Sequence, residues 1–297
     1  MSLLKMRILV LLEKLKKVTA VADELGMKQP TISFHMRKLE EEWGVPLFEM
    51  KTGKVMLTTS GKLLHHYAEQ IDRIYNEAQS RFHERKQSGR HTYVIGSIDA
   101  ASAILLQGSW FKRIAEITDM QFSFTTASSG DLFDSLLAGS IDLVLSGGLP
   151  ASPLLHHELV LESSLSLYIP DQHPLSQSPG VPSYRLAGSP FIQVNEPSLQ
   201  AAIKQWENSE RITLQTDWHT DRVELALSAV RSGLCLAILP SNLNSFQLDG
   251  IQVIPLPGQN QVWQLYACWR SDYWNPPLLQ RILQLLHNKK TDNPTLF

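Results

Sequence analysis

Apolar residues recur every three or four positions at the start of the chain, which is the spacing of amphipathic helices. A first helix over residues 3–16 is predicted by five apolar residues on one face: Leu4, Ile8, Leu11, Leu12 and Leu15. Thr19 is a suitable N-cap for a second helix. Residues 19–40 predict two helices joined by a tight turn, with Ala22 at the helix crossing, Gly26 in the turn and Ile32 buried.

The second helix of this pair separates its apolar and polar residues. Pro30 lies in its first turn, where proline is tolerated, and Ile32, Met36 and Leu39 face inward. The opposite face carries hydrogen-bonding groups and cations: Gln29, Thr31, Ser33, His35, Arg37 and Lys38. Binding in the DNA major groove requires such a helix, although an ordinary amphipathic pair of core helices has the same pattern.

A short segment with glycine, proline and lysine follows. Gly44 ends the helix, and the apolar residues near it are expected to complete a small three-helix core: Trp43, Val45, Leu47 and Phe48. Thr52 and Gly53 then predict a hairpin turn flanked by Lys51 and Lys54. This hairpin would form a wing whose two lysines reach phosphate groups.

A long amphipathic helix is predicted from Thr58 or Ser60, either of which can cap it, to about Gln87. It carries an apolar seam at intervals of three or four residues: Leu63, Tyr67, Ile71, Ile74, Ala78 and Phe82. Because a small domain cannot cover so long a seam, we expect it to pair with a second copy of the chain. Packing on the rest of the same chain is the alternative. Residues 87–91 have the composition of a hinge.

Beyond residue 92, short apolar strands alternate with helices, which predicts a parallel-rich α/β sheet. The first set has the strands YVIG, QFSFTT and IDLVLSGG, with helices at about residues 104–117 and 131–138. The second set has the strands LSLYIP, PFIQV, ITLQT, LCLAILP and GIQVIPL, with the helix VELALSAVRSG; the strand WQLYACWR and the helix PPLLQRILQLLHNKK follow. Two such subdomains would leave a cleft at the carboxyl ends of their strands, where ligands bind.

Charge divides the chain in the same way. Residues 1–90 contain 16 Lys and Arg against 11 Asp and Glu, whereas residues 91–297 contain 11 against 18, so only the first third is expected to meet a polyanion. Cys235 and Cys268 lie in apolar runs, which favours buried thiols over a redox pair. With no leader and no run long enough for a membrane helix, a cytoplasmic protein is expected.

Three other functions have less support. An enzyme would need motifs that the sequence lacks, such as a glycine-rich phosphate loop, GxSxG, HExxH or CxxC, and the histidine pairs His65/His66 and His156/His157 lack metal-ligand spacing. We therefore expect no catalytic residue, metal or cofactor. A solute-binding transport protein would fit the second part of the chain but not its basic first third. A peroxide-sensing regulator would need the two cysteines to be exposed and able to meet.

Several motifs, in order, resemble those of LysR-type transcriptional regulators: QPTIS followed by KLE, WGVPLF, LTTSG, AGSIDLVL, YIPDQHPL and VRSGLCLAILP. The resemblance covers essentially the full length. It implies an α+β multi-domain fold with a winged helix-turn-helix domain (residues 1–59), a dimerising linker helix (60–88) and an effector-binding domain (89–297). That last domain would resemble periplasmic solute-binding proteins, with subdomain I at about residues 92–163 and 267–297 and subdomain II at about 164–266.

The resemblance also implies a dimeric or tetrameric regulator that binds a partly palindromic site in double-stranded DNA, responds to a small-molecule effector and contacts RNA polymerase. The positions matching the family's DNA-binding residues are Thr19, Lys28, Gln29, Pro30, Thr31, Ser33, His35, Arg37, Lys38, Lys51 and Lys54. Gln29 ranks first for base contact, because glutamine can bind adenine with two hydrogen bonds. Met50 occupies a position where the family usually has a basic residue, and Lys51 could substitute for it.

The positions matching the family's effector contacts are Ser97, Asp99, Ala100, Ser102, Ser128, Ser129, Gly147, Gln193, Asn195, Thr216 and His219. Hydroxyl groups and free backbone N–H groups at helix starts suit a carboxylate or sulfate. Asp99, however, stands where Ser or Thr is usual, and its carboxylate would repel a simple anion, which favours a zwitterion or an amine-bearing metabolite. Alternatively, Asp99 only caps the helix that follows it.

Overall fold

The computed structural model describes residues 2–105, 109–118, 120–177, 182–243, 248–258 and 262–287, with the backbone alone for 84, 85, 87, 88, 109 and 177. The chain separates into two compact units, Met1–Gly89 and Arg90–Phe297. Among the described residues, no helix has both the length and the apolar character that crossing a membrane would require.

The first unit is helical apart from one hairpin. Its described elements are α1 (Leu3–Leu15), α2 (Val18–Glu24), α3 (Gln29–Trp43), β1 (Phe48–Lys51), β2 (Lys54–Leu57) and α4 (Thr59–Ser88). Gly26, at φ 62°, makes the predicted turn between α2 and α3, and Gly44, at φ 67°, ends α3 in a left-handed conformation. The predicted cap at Thr19 is wrong, because α2 begins at Val18 after Lys17 and Thr19 lies inside the helix.

Two small apolar clusters hold the first unit together. One joins α1, α2, α3 and the hairpin through Ile8, Leu12, Val21, Ala22, Ile32 and Val55; the other joins α1, α3, the hairpin and α4 through Met6, Leu9, Leu39, Leu47, Leu57, Leu64 and Ala68. The Glu40 carboxylate accepts hydrogen bonds from the backbone N–H groups of Leu47 (2.8 Å) and Phe48 (3.1 Å), which fixes the hairpin to α3. Trp43 and Val45 are exposed, so the prediction that they complete this core is wrong.

The long helix α4 is anchored to the first unit at its start. Thr58 caps it, since the Thr58 hydroxyl oxygen accepts a hydrogen bond from the Gly61 N–H at 3.0 Å. Gly61 packs so closely on the hairpin that a Cβ there would lie 2.1 Å from the Leu47 carbonyl oxygen. One face of α4 is thereby held against α1 through Leu64 and Ala68.

The second unit alternates strands and helices. Its described elements are β3 (His91–Ser97), α5 (Asp99–Leu105), α6 (Ser109–Ile114), β4 (Met120–Thr126), α7 (Ser129–Ala138), β5 (Leu143–Ser146), β6 (Leu155–Pro170), β7 (Pro190–Val194), α8 (Pro197–Glu210), β8 (Gln215–Thr220), α9 (Val223–Arg231), β9 (Ala237–Pro240), β10 (Ile251–Pro255), β11 (Val262–Arg270) and α10 (Pro276–His287). Short 3-10 turns follow β6 at Pro174–Gln177 and Ser183–Arg185.

The main sheet of this unit is mixed. Its strand order is β10-β6-β11-β5-β3-β4, with β9 also paired to β6, and a separate sheet contains β7 and β8. Among the strands that the structure describes, β3 with β4, β3 with β5, and β7 with β8 are the parallel pairs, so the expected parallel-rich sheet is wrong for the other strands. In β6, residues up to Ser164 pair with β11, and residues from Leu165 pair with β9 and β10. One strand therefore belongs to both halves of the sheet.

Helices differ from their predicted bounds at several places. The single helix predicted at about residues 104–117 is two helices, α5 and α6, on either side of residues 106–108, which lie outside the described part. The sequence pattern did not predict α8, although Glu196 caps it, Pro197 opens it and its buried face includes Leu199 and Trp206. Of the predicted hinge at 87–91, only residues 89 and 90 separate α4 from β3. Residues 288–290 of the predicted terminal helix lie outside the described residues.

Candidate functional site

The solvent side of α3 carries most of the side chains predicted to bind DNA. Lys28 is the N-cap residue, Gln29 and Pro30 open the first turn, and Ile32 and Leu39 are buried on the other side. Eight of the predicted DNA-binding residues are exposed: Thr19, Lys28, Gln29, Pro30, Arg37, Lys38, Lys51 and Lys54. Three are half-buried: Thr31, Ser33 and His35. The Nδ1 atom of His35 is buried without a hydrogen-bond partner among the described residues, so this atom is shielded from solvent.

Phe34 is a residue of this face that sequence reasoning missed. Its side chain is 50% exposed in the middle of the outward side of α3. The Lys38 ammonium lies 6.0 Å from the centre of its ring, and the His35 imidazole contacts the ring edge to face at 5.7 Å. The signal was present in the sequence, because Pro30, Phe34 and Lys38 follow one another at intervals of four residues.

The hairpin β1–β2 forms the predicted wing. Thr52 (φ 49°) and Gly53 (φ 74°) both take the left-handed conformation that a two-residue hairpin turn of type I′ requires. The Lys51 ammonium is 2.8 Å from the Glu49 carboxylate, whereas Lys54 extends from the other strand of the turn and is exposed. Met50 is exposed beside them. Lys54 is therefore the wing cation most available to a phosphate.

The predicted apolar seam of α4 is uncovered within the described chain. Leu63 is 63% exposed and Phe82 is 70% exposed, and Tyr67, Ile74 and Ala78 are exposed between them, while Ile71 is half-buried. The buried face of the same helix, at Leu64 and Ala68, is already used by α1. An exposed apolar row of this length is typical of a surface that binds another protein, as the sequence predicts for this seam.

Several serines meet at the carboxyl ends of β3, β4 and β5, where these parallel strands reach one edge of the sheet. Ser97 pairs with Thr126 and Leu145 of the neighbouring strands. The Ser146 hydroxyl donates to the Ser129 oxygen at 3.1 Å and accepts from the Gly148 N–H at 3.2 Å. We call this group the serine edge: Ser97, Ser102, Ser128, Ser129 and Ser146. Ser97 and Ser146 are buried, and Ser128 is exposed.

Asp99 has partners of its own across the second unit. Its carboxylate accepts a hydrogen bond from the Val223 backbone N–H at 2.6 Å and lies 3.1 Å from the Arg222 guanidinium. It therefore caps α9, far along the chain, and its charge is balanced by a cation and a helix N-terminus. The argument that Asp99 would repel a simple anion loses its basis. Ala100, beside it, is buried.

A second bridge, made of hydrogen bonds between β11 and the start of α8, lies near the end of β5. The Trp263 indole N–H donates to the Ser198 hydroxyl oxygen at 2.8 Å, and Ser198 in turn donates to the Glu196 carboxylate. A Cβ on Gly147 would lie 2.0 Å from the Ser198 oxygen. The start of α8 can therefore pack against the end of β5 only because residue 147 is a glycine. The Asp99–Arg222 bridge and this one both adjoin the serine edge, where the sequence predicts the effector cleft.

The remaining predicted effector residues do not all meet there. Asn195 is exposed directly after β7, and its N–H donates to the Thr220 carbonyl oxygen at 2.6 Å. His219 is exposed on β8 as the register partner of Gln193. Gln193 and Thr216 instead line a cavity between β7, β8 and α8. The predicted site is thus divided between the cleft and a separate cavity.

Both cysteines are free and buried, as predicted. Burial raises the pKa of the Cys268 thiol to about 12 and also raises the pKa of the Cys235 thiol. Thiols of this kind react slowly, because the thiolate is the nucleophile. This geometry argues against the peroxide-sensing alternative. Among the described residues, no cluster of three or more His, Cys, Asp or Glu could hold a metal ion.

A winged helix-turn-helix with an exposed polar helix, followed by an α/β unit whose sheet edge carries several serines, is typical of a ligand-responsive DNA-binding regulator. The sequence matches the LysR substrate binding domain over residues 82–290 and the bacterial regulatory helix-turn-helix protein domain, lysR family, over residues 3–62. The chain belongs to the LysR family of transcriptional regulators. It is a DNA-binding transcriptional regulator with a C-terminal effector-binding domain, which confirms the predicted family, fold class and function.

Known proteins resemble the chain over nearly its full length. The RuBisCO operon transcriptional regulator of Allochromatium vinosum is 26% identical over 273 residues, or 89% of each chain. The crystal structure of full-length BenM aligns at a TM-score of 0.57 with 20% identity and 100% coverage of both chains. CbnR complexed with its target DNA aligns at a TM-score of 0.57 with 17% identity, covering 97% of this chain and 99% of that one. At these identities the two structures establish the fold.

Proposed function

We propose that α3 enters the major groove of double-stranded DNA and that Gln29 and Phe34 contact base edges there. The exposed polar face of α3 is the observation that carries this proposal. Glutamine can bind adenine with two hydrogen bonds, and the thymine methyl group is the apolar feature of the groove that a phenylalanine can contact. Arg37, Lys38 and Lys54 contact phosphates around the site and set the register of the helix.

The seam of α4 pairs with the same seam of a second chain. Its exposed apolar row, from Leu63 to Phe82, supports a homodimer, and the family's assemblies extend to tetramers. A two-fold axis through this helix pair presents two copies of α3, so the bound DNA site is partly palindromic. Two linked DNA-binding domains raise the affinity for DNA, because the second domain binds intramolecularly once the first is bound. Contact with RNA polymerase is the output expected of the bound dimer.

The effector is a small carboxylate or a similar anion that binds in the cleft beside the serine edge. The hydroxyl groups of Ser102 and Ser129 and the backbone N–H groups that open α7 can donate to such an anion, whereas the Ser128 hydroxyl caps α7 and donates to the Asp131 carboxylate at 2.6 Å. The balanced charge of Asp99 removes the electrostatic objection to an anion there. This is a change from the zwitterion that the sequence favoured.

Ligand binding would act through the contacts that join the subdomains beside the serine edge: Asp99 with Arg222 and Gly147 with Ser198. An anion held between the subdomains changes the balance between closed and open arrangements of these contacts, and a ligand shifts that balance only as far as it binds one arrangement more tightly. Coupling of this kind is typically about 1 to 3 kcal/mol, or about 5- to 150-fold in affinity. The resulting change in the dimer alters its grip on DNA.

Base reading is tested by comparing Gln29→Ala with Lys54→Ala. Duplexes selected from a random library by the wild-type protein and an unselected duplex are titrated by fluorescence anisotropy at several salt concentrations. Gln29→Ala should lose about 5- to 150-fold on the selected site and little on the other. Lys54→Ala should weaken both similarly and reduce the salt slope by about one. Equal losses on both duplexes for Gln29→Ala would count against the assignment.

The anion site is tested by calorimetry of the full chain with succinate and sulfate. At least one should bind saturably, and Ser129→Ala should weaken it by about tenfold or more, since a donor to a charged group is lost. Ser140→Ala, at an exposed serine after the end of α7, is the matched control and should leave binding unchanged. If only the diamine putrescine binds and Ser129→Ala abolishes that binding, the anion assignment fails.

A further inference from the structure

The second unit holds a cavity of about 230 Å³ that is separate from the cleft. It lies between the flank of α8, strand β7 and the start of β8, and no residue of the serine edge lines it. Its volume is below the about 300 to 1,000 Å³ of sites for drug-sized ligands, so it suits a small metabolite. The charged side chains on the cavity wall indicate which chemical class of metabolite the cavity would bind.

Glu207 and Lys204 place opposite charges side by side on that wall. Glu207 is only 7% exposed, yet one carboxylate oxygen lies 2.9 Å from the Lys204 ammonium and the other accepts from the Leu214 N–H at 2.7 Å. A buried carboxylate needs such partners. The Lys204 side chain, in contrast, is 61% exposed, and an ion pair with so exposed a partner contributes little. Lys204 is therefore free to turn toward a ligand.

The other walls supply polar groups and an apolar surface. The side chains of Gln193, Thr213 and Thr216 donate or accept no hydrogen bond within the described part of the chain. Phe191 and Ile203 add apolar surface to the same lining. An apolar surface beside a few convergent polar groups is typical of small-molecule sites.

We propose that this cavity binds an α-amino acid with an apolar side chain. The ligand ammonium lies against the Glu207 carboxylate, the ligand carboxylate meets the Lys204 ammonium, and the apolar side chain packs on Phe191 and Ile203. A ligand with no net charge fits the wall that carries Glu207 and Lys204, because a simple anion would face Glu207 and a simple cation would face Lys204. Gln193 and Thr216 hydrogen-bond the ligand's polar end.

This site is connected to the cleft by one helix. α8 starts in the cleft with Glu196 and Ser198 and runs past the cavity at Ile203, Lys204 and Glu207. A ligand wedged beside the middle of a helix can shift its first turn, so the amino acid would act as a second effector. By linkage, each ligand then changes the affinity for the other by the same factor.

Calorimetry of the full chain with L-leucine, L-methionine and L-phenylalanine tests the proposal. At least one should bind saturably. 4-Methylpentanoate, which lacks the ammonium group of leucine, and isoamylamine, which lacks its carboxylate, should each bind at least tenfold more weakly than L-leucine. Failure of all three amino acids to bind, or equal binding of either analogue, overturns the proposal.

Point variants test whether the amino acid binds in the cavity or in the cleft. Lys204→Met and Gln193→Leu should each weaken amino-acid binding by about tenfold, with folding checked by circular dichroism. Lys112→Met, at an exposed lysine on α6, is the matched control and should bind as wild type. Ser129→Ala should also leave amino-acid binding intact, although it weakens the anion in the cleft. Binding that survives Lys204→Met but is lost in Ser129→Ala would place the amino acid in the cleft and refute the cavity site.

Discussion

The outward faces of α3 and α4 both expose large apolar side chains, but their neighbours differ. On α3, Phe34 stands alone among hydroxyl groups, amides and cations. On α4, apolar residues from Leu63 to Phe82 follow one another along a whole face. An isolated apolar group within a polar surface suits a groove whose only apolar features are scattered methyl groups, whereas a continuous row suits another row like itself.

The two faces also differ in how they are held. The first turn of α4 is fixed to the winged unit by Thr58, Gly61 and Leu64, so the seam projects from a rigid base. The buried side of α3 is packed along its length by Ile32 and Leu39. Changes to either outward face should therefore alter binding and leave the fold intact. The following variants test that division, from the largest effect to the smallest.

Placing a charge in the seam should have the largest effect. Tyr67→Glu combined with Ile74→Glu would bury carboxylates against the partner helix, which is costly without a compensating cation. Sedimentation should show monomers, and affinity for the selected DNA site should fall by about 100-fold or more, because the second DNA-binding domain is lost. Gln79→Glu, exposed on the same helix, is the charge control and should remain dimeric. A double variant that stays dimeric would show that the seam is not the interface.

Removing the ring of Phe34 should have the next largest effect. Phe34→Ala should reduce affinity for the selected site by about 5- to 150-fold, the range for one base contact, and should flatten any preference for thymine at one position. Binding-site selection from a random library measures this directly. Phe34→Leu, which keeps an apolar side chain, should retain part of the preference. An unchanged selected sequence for Phe34→Ala would mean that Phe34 does not read bases.

Loss of the α4 cap should affect stability alone. Thr58→Ala removes the acceptor for the Gly61 N–H and should lower the free energy of unfolding by about 1 kcal/mol. Chemical denaturation measures the loss, and sedimentation should show the same oligomer as wild type. Thr59→Ala, the next threonine, is the control because Thr59 is exposed and is the first residue of the helix rather than its cap. A change of oligomer in Thr58→Ala would mean that the anchor and the seam are not independent.

The smallest effect is expected on the wing. Glu49→Gln releases Lys51 from its ion pair, so Lys51 can add a phosphate contact. Affinity for selected and random duplexes should rise together by a few-fold, and the salt slope should steepen by at most about one. Glu41→Gln, which removes the partner of Lys38 on α3, makes a matched comparison. An increase confined to the selected site would mean that Lys51 contacts a base.

The elements of the first unit could be predicted because their signals are local. Apolar spacing, Gly26 and the Thr52–Gly53 turn each act within a few residues, and the bounds of α1, α3 and the hairpin agree closely with expectation. Phe34 was missed because aromatic residues are usually assigned to the core. Trp43 shows the converse error, since its place after the last buried turn leaves it in solvent.

The effector region could be predicted only in part because its contacts are distant in sequence. The serines at the ends of β3, β4 and β5 follow from strand order, whereas the pairing of Asp99 with Arg222 needs the folded chain. Gln193 and Thr216 face α8, and the missed helix is why their cavity was not anticipated. Short apolar runs also gave no strand direction, so the antiparallel pairs around β6 were unforeseen.

Strand β6 has a mechanical consequence. Its 16 residues make a ribbon roughly 50 Å long, about 3.3 Å per residue, and each half is hydrogen-bonded into a different part of the sheet. Rotation of one part against the other must be taken up as torsion near Ser164 and Leu165, where the pairing changes. Hydrogen-bonded strands resist stretching but twist more easily, so β6 should let the two parts of the sheet turn against each other while it fixes their distance along the strand.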